Sequence, residues 1–180
     1  DVFKSLLFIP ILTSVVVAGI TFRFMFNSTD KALANSLVIL LGGEKIQWLS
    51  RRWPAMMVMV LLCFWRWAGM NTVYFLAGLK QIPEELYEAA DIDGAGGFAK
   101  IARIMLPLSI RAIVVCLFIS ISRSFLTYDL NLALTNGGPF GSTEMATYYI
   151  VQKAFLSNDY GVGQAEAIVL FVIVATITLT

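Results

Sequence analysis

The 180-residue chain is 58% apolar and only 14% charged, and its formal net charge is +1. A soluble domain usually carries about 25% charged residues, so this composition argues against a soluble protein. The near-neutral charge provides no basic surface, and we therefore expect no nucleic-acid partner. Histidine is absent, and the two cysteines, Cys63 and Cys116, lie apart in apolar blocks. No metal site is predicted from such a sequence.

Four long apolar blocks predict an all-α, polytopic membrane protein. A helix needs about 20 residues to cross a bilayer, and no block has the alternating pattern of a strand. The predicted spans are Leu6–Phe26, Pro54–Leu79, Leu108–Tyr128 and Gly163–Thr180. The sequence begins without methionine and stops inside the last block. We therefore expect one transmembrane domain, residues 1–180, truncated at both ends.

Three connectors separate the blocks. The first and third contain amphipathic segments, which we predict as short helices at Lys31–Leu41 and Thr143–Phe155. Basic residues occur on both sides of the spans in similar numbers, so charge alone does not orient the chain.

The second connector, residues 80–107, is the most charged. Pro83 suits the start of a helix, and Glu84 and Glu85 complement the positive end of the helix dipole. Gly94 can end this helix in a left-handed conformation that other residues resist. A second short helix is predicted from 98 to 105. Such a hairpin is too polar to enter lipid and too short to form a domain.

One surface of the hairpin suits docking to another protein, because Ala89 and Ala90 permit close approach and Glu88 offers a charge. The spacing resembles the EAA loop of ABC importer membrane subunits, and it is carried by Glu88-Ala89-Ala90, Asp93, Gly94, Ala95, Ile104, Leu106 and Pro107. The resemblance implies a cytosolic coupling helix that sits in a groove of a separate ATPase subunit. The implied coupling residues are Glu88, Ala89, Ala90, Asp93 and Gly94.

The resemblance also implies partners and a location. The family core has six spans, so one or two would precede those seen here. The chain would be a multi-pass protein of the bacterial inner membrane and would form half of a translocation path with a second permease subunit, homologous or identical. An extracytoplasmic solute-binding protein would deliver the cargo. Since the sequence has no GxxxxGK phosphate-binding loop, we expect ATP on the partner subunit, no cofactor on this chain and no catalytic activity of its own.

Two further segments are similar to the carbohydrate-type branch of these permeases. One is Leu134–Pro139 followed by Ala146–Tyr149, and the other is Trp48-Leu49-Ser50 ahead of the second block. They imply that the cargo is a sugar.

Polar residues inside the predicted spans are candidates for a solute path, because they usually face a cavity or another helix. In the third block, Ser120, Ser124 and Thr127 fall on one helical face, with Arg123 beside them. Hydroxyl groups can hydrogen-bond to a sugar.

The second block offers a guanidinium and indoles at a matching depth. At about 1.5 Å per residue, Arg66 lies about 21 Å from the cytosolic end of its block and Ser120 about 20 Å from the corresponding end of the next. Trp65 and Trp67 flank Arg66, and an indole can stack on a sugar ring. The predicted substrate path is Trp65, Arg66, Ser120, Arg123, Ser124 and Thr127.

Other interpretations remain open. The serines could serve helix packing, the tryptophans could face lipid, and Arg66 could pair with a carboxylate, such as Glu166 or one on a preceding helix. The cargo could be a non-sugar solute, although a strongly charged cargo would favour more intramembrane charge than this chain carries. An ion-coupled carrier usually has several intramembrane acids, whereas only Glu166 is available. A membrane enzyme would need a catalytic set that the sequence lacks.

Overall fold

The computed structural model describes residues 2–179, and this part of the chain is helical, without strands. The prediction of an all-α protein is confirmed. The helices are α1 (Val2–Leu12), α2 (Val15–Met25), α3 (Leu33–Leu40), α4 (Arg52–Leu79), α5 (Glu84–Ile92), α6 (Gly97–Lys100), α7 (Leu106–Leu108), α8 (Ile110–Leu126), α9 (Asp129–Leu134), α10 (Ala146–Val151) and α11 (Tyr160–Leu179). A π-helical segment, Ile101–Met105, joins α6 to α7, and a second, Gln152–Leu156, extends α10.

Two helices, α4 and α11, are long and apolar enough to cross a membrane, judged by length and composition. They correspond to the second and fourth predicted spans, although Thr180 lies outside the described residues. The segment 97–108 and helix α8 would make a third span with a bend of 64°. The bend falls at Ser109, whose backbone leaves the regular helix. The straight part of this third span therefore begins at Ile110, and Pro107 lies in the short helix α7 before the bend.

The first predicted span is not one helix, and this prediction is corrected. Helices α1 and α2 have 11 residues each and are separated at Thr13 and Ser14. Pro10 lies inside α1, and a proline removes one backbone donor and disturbs the turn before it. Arg66 of α4 compensates for the break, because its Nη1 donates to the carbonyl oxygens of Pro10 at 2.9 Å and Thr13 at 2.8 Å.

The largest cluster of buried apolar side chains lies where α2, α4 and α9 meet, and consists of Ala18, Phe22, Val58, Met59, Leu62, Leu130 and Leu134. Helix α2 approaches α9 so closely that a Cβ added to Gly19 would lie 2.5 Å from the Cβ of Ala133. Burial of these side chains fixes α4 from one side, and α8 packs along another side.

The first connector is held by one buried amide. Asn35 of α3 is fully buried, and its amide nitrogen donates to the carbonyl of Ile46 at 3.1 Å. Its oxygen accepts from the backbone of Ile46 and from the indole of Trp48. Helix α3 lies within the predicted segment 31–41, and this network fixes the chain at Ile46 and Trp48, shortly before α4 begins at Arg52.

The third connector is held by a similar network around Thr143. Its hydroxyl donates to the carbonyl of Gly138 at 2.6 Å, and its carbonyl accepts from the buried amide of Asn131. Tyr148 of α10 donates to the carbonyl of Asn136 at 3.0 Å. The helix predicted at 143–155 is present as α10 and its π-helical extension.

Candidate functional site

A cavity of about 440 Å³ lies between α4 and α8, and most of its lining residues fall in the ranges 63–72 and 119–127. Its wall is mainly apolar, with a small number of polar groups. The lining residues are Cys63, Phe64, Trp67, Ala68, Met70, Asn71, Thr72, Ile119, Ser120, Arg123, Ser124, Thr127 and Met145. This combination is typical of small-molecule sites, in which a few polar groups on an apolar wall fix the orientation of the ligand.

The charged group on the cavity wall is the guanidinium of Arg123, which lies over the ring of Trp67. The guanidinium carbon of Arg123 lies 4.0 Å from the centre of the Trp67 ring, and that of Arg66 lies 5.4 Å from it. Both distances are within the range of cation–π attraction. Trp67 is thus held by two cations, while Arg123 is half-buried and faces the cavity.

Hydrogen-bonding groups of both helices meet in the same wall. The amide of Asn71 donates to the hydroxyl of Ser120 at 3.3 Å, which links α4 to α8. The hydroxyl of Thr127 donates to the carbonyl of Arg123 at 2.8 Å, so its oxygen remains available as an acceptor. The hydroxyl of Ser124 has no hydrogen-bond partner among residues 2–179 and is free to serve as donor and acceptor.

The structure brings four of the six predicted path residues to this cavity: Ser120, Arg123, Ser124 and Thr127. It does not bring Arg66 or Trp65 to the cavity wall. Arg66 is only 5% exposed and is bonded to the break between α1 and α2. The ring of Trp65 lies 5.4 Å from that of Phe22 in α2, on a different side of α4.

Among the cavity residues that the predicted path did not contain, Trp67 and Asn71 of α4 matter most for binding. They are four residues apart and therefore share one face of α4. Asn71 is a polar residue inside a span, the same signal that selected Ser120 and Ser124. Gly78 lies on the same face of α4 and packs against Ala112 of α8. The spacing of Trp67, Asn71 and Gly78 therefore indicates which face of α4 meets α8.

Glu166 of α11 does not pair with either arginine. The ion pairs among the described residues join Lys45 to Asp30 and Lys100 to Asp91, both outside the cavity. One carboxylate oxygen of Glu166 is buried without a hydrogen-bond partner within residues 2–179. No cluster of potential metal ligands occurs in that part of the chain.

The charged connector forms the predicted hairpin. Helix α5 begins after Pro83 and carries Glu84 and Glu85 in its first turn. Gly94 has a φ of +69° with no neighbouring atom near the position of an added Cβ. The turn therefore depends on the conformational freedom of glycine rather than on close packing. The predicted left-handed conformation is present.

Most of the predicted coupling residues lie on the surface of this hairpin. Glu88, Ala89, Asp93 and Gly94 are exposed, whereas Ala90 is buried. Two large apolar side chains also face outward, Ile92 at 87% and Phe98 at 84% exposure. Asp91 forms an ion pair with Lys100, which joins the two arms of the hairpin.

The chain is similar to several known transport proteins. The arabinooligosaccharides transport system permease protein AraP of Bacillus subtilis (strain 168) is 41% identical over 180 residues, which cover 99% of this chain and 58% of that protein. The trehalose/maltose transport system permease protein MalF of Thermococcus litoralis is 32% identical, over 99% of this chain and 60% of its own length.

A solved structure has the same fold. A chain in the crystal structure of a bacterial alginate ABC transporter, in complex with alginate pentasaccharide-bound periplasmic protein, superposes with a TM-score of 0.86. The sequences are 24% identical, and the match covers 99% of this chain and 62% of the other. Our chain thus spans less than two thirds of the length of the proteins it resembles.

The family described as "Binding-protein-dependent transport system inner membrane component" matches residues 1–180. The helical fold, the hairpin between two spans and the likeness to AraP agree with that match. The chain therefore belongs to the family of inner membrane components of binding-protein-dependent transport systems.

Proposed function

We propose that this chain is the membrane-spanning part of an ATP-driven sugar importer and that the cavity between α4 and α8 belongs to the translocation path. The observation that carries this proposal is the wall itself. It sets the indole of Trp67 beside the hydroxyls of Ser120 and Ser124 and the amide of Asn71. The indole, over which the guanidinium of Arg123 lies, offers apolar surface to a sugar ring beside that cation, and the hydroxyls and amide offer donors and acceptors to the hydroxyl groups of the sugar. Relatives named for arabinooligosaccharide and trehalose/maltose transport support a saccharide cargo.

The hairpin is proposed to couple this path to ATP hydrolysis. Glu88 and Ala89 form an exposed surface on α5, and Ile92 and Phe98 add apolar area that a monomeric surface would seldom leave uncovered. An ATPase subunit would cover this surface on the cytosolic side. ATP would be bound by that subunit, with no cofactor or catalytic activity assigned to this chain.

The remaining partners follow from the same assignment. The complete protein would lie as a multi-pass protein in the bacterial inner membrane and pair with a second permease subunit, homologous or identical. An extracytoplasmic solute-binding protein would deliver the cargo to the outer side. The alginate transporter whose fold is similar was crystallised with a periplasmic protein, which supports a partner of this kind.

The function is tested by uptake in proteoliposomes that contain the full-length permease, its partner permease, the ATPase and the binding protein. The panel contains neutral and acidic oligosaccharides, an amino acid and inorganic phosphate. We expect ATP-dependent uptake of at least one saccharide and none of the amino acid or phosphate. Uptake of a non-saccharide alone would overturn the sugar assignment.

The coupling role is tested by two glycines of the hairpin. Gly94→Val forces a β-branched residue into the left-handed region at a cost of about 1–2 kcal/mol, whereas Gly96→Val meets open space at an extended φ of −66°. We expect the first variant to lower solute-stimulated ATP turnover strongly and the second to lower it less, since Gly96 only caps α6, with both inserted in the membrane. Glu88→Lys should also lower turnover, because it reverses the charge offered to the ATPase. Normal turnover in Gly94→Val and Glu88→Lys would refute the coupling role.

A further inference from the structure

Among the described residues, Arg123 is the only charged side chain on the wall of the cavity between α4 and α8. It forms no ion pair and donates no side-chain hydrogen bond to any residue in the described range 2–179, where the ion pairs lie elsewhere. A half-buried guanidinium that lacks acceptors is unfavourable, since charged groups away from water need compensating partners. The cavity therefore presents an unsatisfied cation to whatever enters it.

The guanidinium of Arg123 lies over the ring of Trp67, and its N–H groups remain available to donate hydrogen bonds to a ligand. The distance of 4.0 Å from the guanidinium carbon to the ring centre places the cation against the indole. The N–H groups of arginine lie in the guanidinium plane and form a rigid fork that matches a carboxylate. Trp67 thus holds the guanidinium in place without occupying that fork.

A second cation strengthens the positive potential of this wall. Arg66 lies 5.4 Å from the same ring centre, and its hydrogen bonds go to two neutral carbonyl groups. Neither guanidinium has a carboxylate within ion-pair distance among the described residues, and no acidic residue lines the cavity. A neutral sugar could accept hydrogen bonds here, but only an anionic group would also balance the charge.

We propose that Arg123 determines cargo specificity and that the cargo is a saccharide bearing a carboxylate, such as a uronic-acid oligosaccharide. This proposal rests on the proposed function. The carboxylate binds the fork of Arg123 while the adjoining ring lies beside Trp67. The hydroxyl of Ser124, one residue along α8, is available to a neighbouring hydroxyl of the sugar.

The test compares matched acidic and neutral disaccharides in the complete reconstituted transporter with its binding protein. The probes are digalacturonate against galactobiose and cellobiouronate against cellobiose, each supplied at saturating concentration. We expect faster uptake of at least one acidic probe than of its neutral counterpart. Arg123→Gln keeps an amide donor without the charge, and it should lower the rate for the acidic probe about tenfold, as expected for loss of a charge-assisted hydrogen bond. The rate for the neutral probe should fall less, because it loses a hydrogen bond but no ionic contact, so the acid-to-neutral ratio should decrease.

Arg23→Gln serves as the matched control, because Arg23 is an exposed arginine of α2 away from the cavity. It removes the same charge and should leave the acid-to-neutral ratio unchanged. If both neutral probes are transported as fast as their acidic counterparts, or if the acidic preference survives Arg123→Gln, the specificity assignment is overturned and the sugar-importer function stays intact. Uptake of none of the four saccharides would overturn the specificity assignment, whereas the sugar-importer function is decided by the wider panel described above.

Discussion

The two sides of α4 satisfy their polar groups in different ways. Towards α1 and α2, Arg66 is buried and its Nη1 bonds to two backbone carbonyls, while Gly69 lies directly against the backbone of Leu7. Towards α8, Trp67 and Asn71 face a cavity, and Arg123 on the opposite wall lacks an acceptor within the described residues. Two arginines near the same tryptophan, Arg66 and Arg123, thus occur in two unlike environments.

This difference separates the structural role of a polar residue from a ligand-binding role. A buried donor bonded to backbone acceptors contributes to folding, and its loss leaves those acceptors unsatisfied. A donor that faces an open cavity contributes little to folding but is available to a ligand. We therefore expect substitutions on the α1 side to lower stability and substitutions on the α8 side to change transport.

Replacing Arg66 should give the largest effect. Arg66→Met keeps a long side chain but removes the donors that serve Pro10 and Thr13, and each unsatisfied buried acceptor costs about 1–3 kcal/mol. The net loss should be about 2–4 kcal/mol, below the full sum, because the bond to Thr13 is only part-buried and the substitution also removes Arg66 Nε, which is buried without a partner among the described residues. This loss should lower the thermal unfolding temperature of the purified complex in detergent. Arg123→Met is the control, because Arg123 has no such acceptors, and its unfolding temperature should change little. Equal stability of the two variants would contradict the distinction between the two sides.

Gly69 tests the close contact between α1 and α4. A Cβ at this position would collide with the carbonyl oxygen of Leu7, and a backbone atom cannot move aside as the end of a side chain can. Gly69→Ala should therefore cost about 1–3 kcal/mol by overpacking, measured by thermal unfolding as above. Gly161→Ala in α11 meets nothing within 4 Å and should be neutral or slightly stabilising, as expected for alanine in a helix. An unchanged unfolding temperature for Gly69→Ala would show that α1 does not rest on α4.

The sequence was sufficient to predict three helices of the membrane domain and the hairpin, but not the break in the first apolar block. Blocks of apolar residues report the length of a span, so α4, α8 and α11 fall where expected. The break depends on Pro10 and on a donor, Arg66, that lies 56 residues further along the chain. No local pattern indicates that a distant arginine will satisfy the end of a helix.

The cavity shows the same limit on a smaller scale. The spacing of Ser120, Ser124 and Thr127 placed them on one face of α8, and these residues do share one wall. Their depth in the membrane matched that of α4, but depth does not specify which side of α4 faces them. Trp65 and Trp67 have nearly the same depth and differ by about 200° around the helix axis. Only tertiary packing decides which of the two meets α8, and whether these residues bind solute remains a prediction.

The two tryptophans therefore make a matched pair for transport. Trp67→Ala should lower the maximal uptake rate about tenfold, a change equivalent to about 1.4 kcal/mol, because it removes apolar surface of the cavity wall and the ring that holds Arg123. Trp65→Ala removes an indole that lies 5.4 Å from Phe22, so it should lower stability and leave the relative rates for different saccharides unchanged. The measurement is uptake at matched protein level in proteoliposomes. A change of cargo preference in Trp65→Ala but not in Trp67→Ala would show that the path follows the Trp65 side of α4, and the proposed path beside α8 would be wrong.

The smallest effect is expected for one hydroxyl of the cavity wall. Ser124 has no hydrogen-bond partner among residues 2–179 and lines the cavity, so Ser124→Ala should leave the unfolding temperature unchanged. Losing one hydrogen bond between uncharged groups costs about 0.5–1.5 kcal/mol, which corresponds to a decrease in apparent affinity or rate of about two- to tenfold. Ser122→Ala is the control, since Ser122 lies on the same helix but does not line the cavity. Because a binding protein can dominate the apparent affinity, the maximal rate and the cargo preference should be measured as well. If Ser124→Ala and Ser122→Ala both transport every saccharide like the parent, the hydroxyl at Ser124 does not contact the cargo, and the path would have to follow another part of the cavity wall.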